Sequence, residues 1–431
     1  MFKSMLFLIN QLHTRHFFFL LVLVVLSSCG TTYSIKKELN QQHENIPFLK
    51  GFVLYNPTTK KEIINQNGAY YFTPASNTKL FTFYTAYKTF TDSVNSLAYY
   101  KTKDSLIIKG TADPSFLYGF ETQKVIDFLR NQKDTIYLAD ATIDEPSFGS
   151  GWAWDDYAYS YMPEKSLFPI YGNIVSYKIE NDSLTSYPSF FKNKIEAVDS
   201  VSMTRKITEN QFYIQKDRLK KKEVPFITSN YLVAQLLSDT LHKKVTIIPN
   251  SKRYDYKMIK GIAYDSLYKK VLVVSDNFIS EQLMLQVGKE VTGSYSVEAA
   301  IEYSLTNYLQ DLPQEPRWVD GSGLSRYNLF TPNDMVYLLE KMYKEIPLQK
   351  LLDYFPVGGE TGTLKKWYAN DKPFVYAKSG TLSNNYNLSG YLVTKKGTFL
   401  IFSYMNNHFR IPTSEVKEDI EKTLKKIYNS Y

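Results

Sequence analysis

Residues 72–90, FTPASNTKLFTFYTAYKTF, constrain the chain more than any other stretch. From Leu80 onward Leu80, Phe81, Tyr84, Tyr87 and Phe90 recur at intervals of three and four, the period of a helix with one buried face. Pro74 precedes it, where a missing N–H is harmless because first-turn amides have no partner inside a helix. A helix this apolar must be covered by the rest of the fold. Its first turn nevertheless carries Ser76 and Lys79, three residues apart and so on one face. The pair reads either as polar residues at a helix start or as a nucleophile with its own base. Spacing alone does not decide, because Ser-x-x-Lys recurs at Ser34/Lys37, Ser189/Lys192, Ser266/Lys269 and Ser414/Lys417. None of those four runs into a comparable buried helix.

With 431 residues, 44% of them hydrophobic, the chain can build one large or two to three ordinary domains. Residues 1–28 hold Lys3 and Arg15, no acid, and ten unbroken apolar residues from Phe17 to Leu26. Ten are too few to span a bilayer, which takes roughly 20 in a helix, so the segment reads as an export signal. LSSC, Leu26 to Cys29, resembles a bacterial lipobox, whose cysteine is lipidated and becomes the first residue of the mature chain. A plain secretory signal with an incidental cysteine is the alternative. Cys29 is the only cysteine, so no intramolecular disulfide can form, and a lipid anchor accounts for a solitary thiol in an exported protein. Losing residues 1–28 lowers the formal charge from +8 to +6. The densest basic run, Arg218 to Glu223, reads as a solvated loop, and no nucleic-acid partner is expected.

Residues 29–45 are polar and read as a tether. Gly51 to Asn67 holds two β-prone runs around Asn56-Pro57-Thr58-Thr59, a hairpin signal. Residues 96–254 turn to short β-like runs, closed by an apolar helix pattern in SNYLVAQLLSDTLHKK, and read as an inserted β-rich region. KPFVYAKSGTL, YNLSGYLVTKK and GTFLIFSYMNN give three further strands, and a C-terminal helix is patterned on Val416, Ile420, Leu424 and Ile427. The hairpin and these strands predict a mixed α/β (α+β) fold: a five-stranded antiparallel sheet flanked by helices, with the catalytic part drawn from residues 46–95 and 255–431.

Acyl transfer by a serine needs a base, oxyanion donors and an anchor for substrate charge. Histidine is scarce: only His43, His242 and His408 follow the leader, and no Gly-x-Ser-x-Gly elbow occurs. No His-Glu-x-x-His or cysteine cluster suggests a metal, and no cofactor is implied. Lysine is the base left to consider. Its reference pKa of about 10.4 must be lowered by burial or a neighbouring cation. AKSGTL, Ala377 to Leu382, holds the only Lys-Ser/Thr-Gly triplet, Lys378-Ser379-Gly380, and SDN, Ser275 to Asn277, precedes a helical run with Ile279, Leu283, Met284 and Val287. Taken singly, SDN reads equally as a helix cap and KSG as a strand end.

Together and in this order the three segments resemble the signatures of the penicillin-recognising serine acyltransferases. Their separations, 199 residues from Ser76 to Ser275 and 103 on to Lys378, leave room for an insertion between the first two. With GTADPSF (Gly110 to Phe116), GWAWDD (Gly151 to Asp156), DGSGLSR (Asp320 to Arg326) and GGETGTL (Gly358 to Leu364), the chain is similar to the D-alanyl-D-alanine carboxypeptidase/endopeptidase family of class C penicillin-binding proteins.

That resemblance implies Ser76 as nucleophile, Lys79 as its base, Ser275 as proton relay and Asn277 as a hold on the substrate amide. Lys378 would tune the electrostatics and, with Ser379, anchor a terminal carboxylate, with Gly380 and Thr381 also counted among the substrate-binding residues. The N–H groups of Ser76 and Thr381 would form the oxyanion hole. Implied partners are peptidoglycan stem peptides, β-lactams as inhibitors and, through Cys29, a membrane at the periplasmic face of the envelope. ETGTL, Glu360 to Leu364, echoes KSGTL but has an acid in the lysine's place and reads as structural. Asp320 to Arg326 reads as a tight turn at the site's edge, and Asp155 and Asp156 as structural acids. The alternatives are a β-lactamase, to which Glu164 in EKSLF is only a partial match, and a non-catalytic binding protein.

Overall fold

The computed structural model describes residues 30, 32–37, 39, 48–180, 183–216 and 221–431. The leader and Cys29 lie outside the described residues. The chain forms two compact units, one from the residues up to Phe72 with Thr331–Glu345 and Pro356–Tyr431, the other from Thr73–Phe330 with Ile346–Phe355.

The first unit holds the antiparallel sheet of five strands. Their order across the sheet is Val375–Leu382, Asn385–Val393, Phe399–Asn407, Leu49–Asn56 and Lys61–Gln66. Asn385–Val393 is interior and covered on both faces, which is why it lacks a polar stripe. Tyr386, Leu388 and Leu392 point to one side, into a core with Val416, Ile420, Leu424 and Ile427 of the C-terminal helix Thr413–Ser430. Tyr391 points to the other, and its hydroxyl donates to the carbonyl of Leu339 (2.9 Å) in the helix Pro332–Glu345. The hairpin turn is closed by Asn56, whose Oδ1 accepts from the amides of Thr58 (3.0 Å) and Thr59 (3.1 Å).

Within the stretch read as a tether, residues 32–37 are helical. Ile35 and Leu39 are buried in the same core as the C-terminal helix, Lys426 donates to the Ser34 hydroxyl (2.8 Å), and Thr32 pairs with the Tyr431 hydroxyl (2.7 Å). Two apolar residues four apart are enough to dock a short segment that is otherwise polar.

The second unit combines a helical core with sheets. Lys79–Thr89 packs on Asn277–Thr292, which packs on Val297–Asn307. A mixed sheet runs Val245–Pro249, Thr135–Asp140, Ser105–Lys109, Ser93–Lys101, Lys257–Ala263. Its first three strands are parallel, joined by crossovers through the helices Lys124–Arg130 and Asn230–Leu241. Further strands pair as Lys222–Pro225, Ile174–Glu180, Ser183–Tyr187 and as Ile195–Val198 with Phe212–Gln215. The region is β-rich as its sequence implied, but the short helix at Lys124–Arg130 went unread because seven residues are too few to display a period.

Leu388 is fully buried in an interior strand. Leu388→Ala should lower stability by about 2–5 kcal/mol, seen as a fall in the denaturant midpoint.

Candidate active site

Ser76 lies in a 3₁₀ turn, Ala75–Thr78, that runs straight into the α-helix Lys79–Thr89. The turn is held by the Thr78 hydroxyl, which donates to the Ala75 carbonyl (2.9 Å). Ala75 takes a left-handed φ of 49°, uncommon for a residue with a Cβ. The backbone here is crowded from outside as well. A Cβ on Gly323 would collide with the Ala75 carbonyl, so only glycine lets the 320–328 loop pass this close. The tight turn leaves the Ser76 side chain half-buried, while Lys79 is wholly enclosed.

Every N–H direction of the Lys79 ammonium is occupied. Nζ reaches Ser76 Oγ at 3.0 Å, Asn277 Oδ1 at 2.6 Å and the Ser322 carbonyl at 2.5 Å. Two of these partners can only accept. If Lys79 is neutral, its two N–H bonds remain committed to them, and its lone pair occupies the remaining position, facing Ser76 Oγ. Of these three partners only the Ser76 hydroxyl can also donate. Burial pushes the Lys79 pKa down to about 8, against the opposing pull of Asp320, Glu281 and Asp276. At that value an appreciable fraction is neutral near physiological pH.

Asn277 is the first residue of the helix Asn277–Thr292, and its Nδ2 donates to the Tyr161 carbonyl (2.8 Å), which fixes Oδ1 toward Lys79. Asp276 caps that helix: Oδ1 accepts from the Ile279 amide and Oδ2 from the Tyr118 hydroxyl, both at 2.9 Å. Ser275 sits at the junction between a π-helical turn, Lys270–Val274, and this cap, with left-handed backbone at φ 65° and ψ 42°. Asp156 supports the neighbourhood by hydrogen bonding the Tyr161 hydroxyl, and Glu164 accepts from the Thr228 amide (2.8 Å).

The 320–328 loop supplies a contact that no side-chain motif announces, the Ser322 carbonyl on Lys79. Asp320 organises the loop, accepting from the amides of Gly323 (2.8 Å) and Ser325 (2.6 Å), from Asn328 Nδ2 (2.8 Å) and from Trp152 Nε1 (2.9 Å). Thr82 donates to the Gly321 carbonyl (2.6 Å), and the Ser322 amide donates to Glu281 Oε1 (2.7 Å). DGSGLSR is therefore a tight turn, as expected, and one of its carbonyls is part of the lysine's cage.

In the first unit, Lys378, Ser379, Gly380 and Thr381 all lie on the edge strand Val375–Leu382. Lys378 is buried, with Nζ donating to the Ser379 carbonyl (2.7 Å). Ser379 Oγ donates to Thr363 Oγ1 (2.8 Å). Thr363 belongs to the ETGTL segment, so that echo of KSGTL holds the Ser379 hydroxyl. Among the described residues, no group of three or more His, Cys, Asp or Glu side chains could hold a metal ion, and no helix is long and apolar enough to cross a membrane.

The sequence profile of the D-Ala-D-Ala carboxypeptidase 3 (S13) family matches residues 34–215 and 264–430. The chain belongs to that family. Penicillin-sensitive carboxypeptidase A of Dictyostelium discoideum is 24% identical to this S13 chain over 412 residues, spanning 79% of it and 78% of the relative. D-alanyl-D-alanine carboxypeptidase DacB of Haemophilus influenzae is 22% identical over 423 residues, spanning 85% and 87%. The crystal structure of penicillin binding protein 4 (dacB) from Haemophilus influenzae superposes with a TM-score of 0.74 at 19% identity, covering 92% of the S13 chain and 98% of its own. At that identity the match establishes the fold. The expected family and the mixed α/β architecture are both borne out, and the S13 chain is a peptidase of the D-Ala-D-Ala carboxypeptidase type.

With Lys79 as the base for Ser76, acylation by a penicillin should climb in second-order rate as pH rises and level off above a midpoint near 8, since only the neutral amine can take a proton. A stopped-flow pH profile between pH 6 and pH 10 checks it, and a flat profile would speak against lysine as the base.

Proposed function

We propose that Ser76 is the acylated nucleophile of a D-Ala-D-Ala carboxypeptidase acting on peptidoglycan stem peptides, with Lys79 as its base. One observation carries this reading. The enclosed Lys79 has carbonyl oxygens on two sides and Ser76 Oγ at 3.0 Å on the third. Ser76 Oγ attacks the carbonyl carbon of the penultimate D-alanine while its proton passes to Lys79 Nζ. The C–N bond then breaks, and the proton held on Lys79 passes through Ser275 to the leaving D-alanine amine, which returns Lys79 to the neutral form. Water then attacks the ester carbonyl with its proton going to the neutral Lys79, the C–Oγ bond breaks, and Lys79 returns that proton to Ser76 Oγ, leaving the shortened peptide with a free carboxyl group.

The remaining roles rest on the family resemblance. Asn277 holds the substrate amide, with its own carboxamide pinned between Lys79 and Tyr161. Lys378 and Ser379 take the terminal carboxylate, and the amides of Ser76 and Thr381 hold the oxyanion, each such donor being worth ~10²–10³ in rate. A crystal structure of the Haemophilus influenzae penicillin binding protein 4 is a complex with a β-lactam, which supports β-lactams as acylating inhibitors here. The cell envelope is the setting, and Cys29 is the site of a lipid anchor facing the periplasm. The division into an inserted region at residues 96–254 and a catalytic part from 46–95 and 255–431 belongs to the same reading.

Labelling with a fluorescent penicillin, alongside release of D-alanine from a pentapeptide, is the direct test. Ser76→Ala should abolish both, and Lys79→Ala should lower both by about 10²–10⁴-fold with the fold intact. Lys378→Ala should chiefly harm peptides with a free terminal carboxylate; an equal loss on amidated peptides would refute the anchor. A label that persists in Ser76→Ala would refute the nucleophile. For the anchor, metabolic labelling with an alkynyl fatty acid should mark the full-length chain and not Cys29→Ala.

A further inference from the structure

We propose that Glu281 is a positioning residue that sets the proton affinity of Lys79 by holding the Ser322 peptide and by placing an ionisable carboxyl beside it. The idea rests on the reading of Lys79 as base, but its geometry is separate. Glu281 stands one helical turn beyond Asn277 on the same helix and is buried. Its Oε1 accepts from the Ser322 amide (2.7 Å), and the carbonyl of the same residue accepts from Lys79 (2.5 Å). One side chain therefore fixes the residue that cages the base.

The second carboxylate oxygen is what sets Glu281 apart. Oε2 is buried and has no hydrogen-bond partner among the described residues. Asp320, the other acid nearby, accepts four hydrogen bonds, so its charge is fully met by protein donors. Glu281 is left half-solvated by comparison, a condition that disfavours its charged form. Burial and the neighbouring Asp320 push its pKa up to about 7, while Lys165, the Ser322 side chain and the Gly321 backbone pull the other way. Lys165 is itself paired with Glu145 (2.5 Å), and Asp276, the third acid facing Lys79, is held by Tyr118 and lies near Lys270.

The consequence follows from the sign of the charge. An ionised Glu281 favours the Lys79 ammonium, the form Lys79 takes on receiving the Ser76 proton. A neutral Glu281 favours the amine that starts the reaction. Ionisation of Glu281 thus strengthens the base, and its neutralisation weakens it.

Glu281→Gln keeps an oxygen for the Ser322 amide and removes the charge. The Lys79 titration, read from the ¹³Cε shift of labelled lysine, should move to lower pH by roughly half a unit or more, the size expected for a charge at moderate distance in a partly polar interior. The penicillin acylation profile should move with it. An unmoved or raised Lys79 midpoint would overturn the proposal. If Glu281→Gln does not fold, ¹³C-labelled glutamate in the parent chain keeps the question open to refutation: one buried carboxyl should titrate near 7, and none doing so above about 6 would overturn it. Since both NMR readouts need no turnover, an enzyme inert to penicillin would sink the proposed function without deciding this one.

Discussion

The confinement of one ammonium group organises the second unit of this protein. Lys79 touches three segments distant in sequence: its own helical turn at Ser76, the head of the next helix at Asn277, and a loop carbonyl at Ser322. A buried lysine without partners would be intolerable, since an unpaired charge in a low-dielectric interior costs several kcal/mol. Because the required acceptors come from elsewhere in the chain, the folded arrangement of two helices and one loop is a condition for enclosing Lys79 at all. Thr82 extends the clamp by tying the nucleophile's helix to Gly321, and Gly323 permits the approach because a side chain there would strike the Ala75 carbonyl.

In the proposed roles of Ser76 and Lys79, the same contacts would turn a weak nucleophile and a poor base into a reactive pair. In water, lysine is almost wholly protonated at neutral pH and a serine hydroxyl has no incentive to part with its proton. Enclosure shifts the first balance, and the two fixed carbonyl oxygens aim what is left of the nitrogen at Ser76. Ser76 itself stays half-buried, open to a substrate, since it lies in the 3₁₀ turn ahead of the helix. Reactivity here is a matter of orientation as much as of acidity.

Much of this was legible in the residues. The buried face of 80–90 predicted the helix, though Ser76 stands in a 3₁₀ turn ahead of it and not in its first turn, and SDN could be read as a cap before a helix, which Asp276 performs. The sheet was legible for a similar reason: a hairpin signal, three further β-prone runs and an amphipathic C-terminal helix leave few ways to be paired. What stayed hidden has no side-chain signature. A carbonyl such as that of Ser322 looks the same at every position in a sequence, and Asp320 reads as a turn former until its four donors are seen. Glu281 is one of two acids in its helix, and nothing in the local sequence singles it out. Its isolation is a property of neighbours far away in the chain. Ile35 and Leu39 were obscured by the polar residues around them.

Carboxylates close to a lysine base look at first like an error, because they favour the protonated form. They are better understood as the other half of a two-sided adjustment. Burial alone can carry a lysine down to about 5–6, where it would be neutral at every relevant pH and too feeble to remove a hydroxyl proton. Carboxylates alone would hold it protonated. With Asp320, Glu281 and Asp276 acting against enclosure, the balance comes to rest at about 8. That is near the operating pH at which the product of available base and base strength is greatest. In the proposed mechanism the acids would also let the lysine serve twice: having gained a proton, it remains an ammonium in good company and can return that proton toward a leaving amine. A cage made only of apolar side chains could supply the first property and not the second.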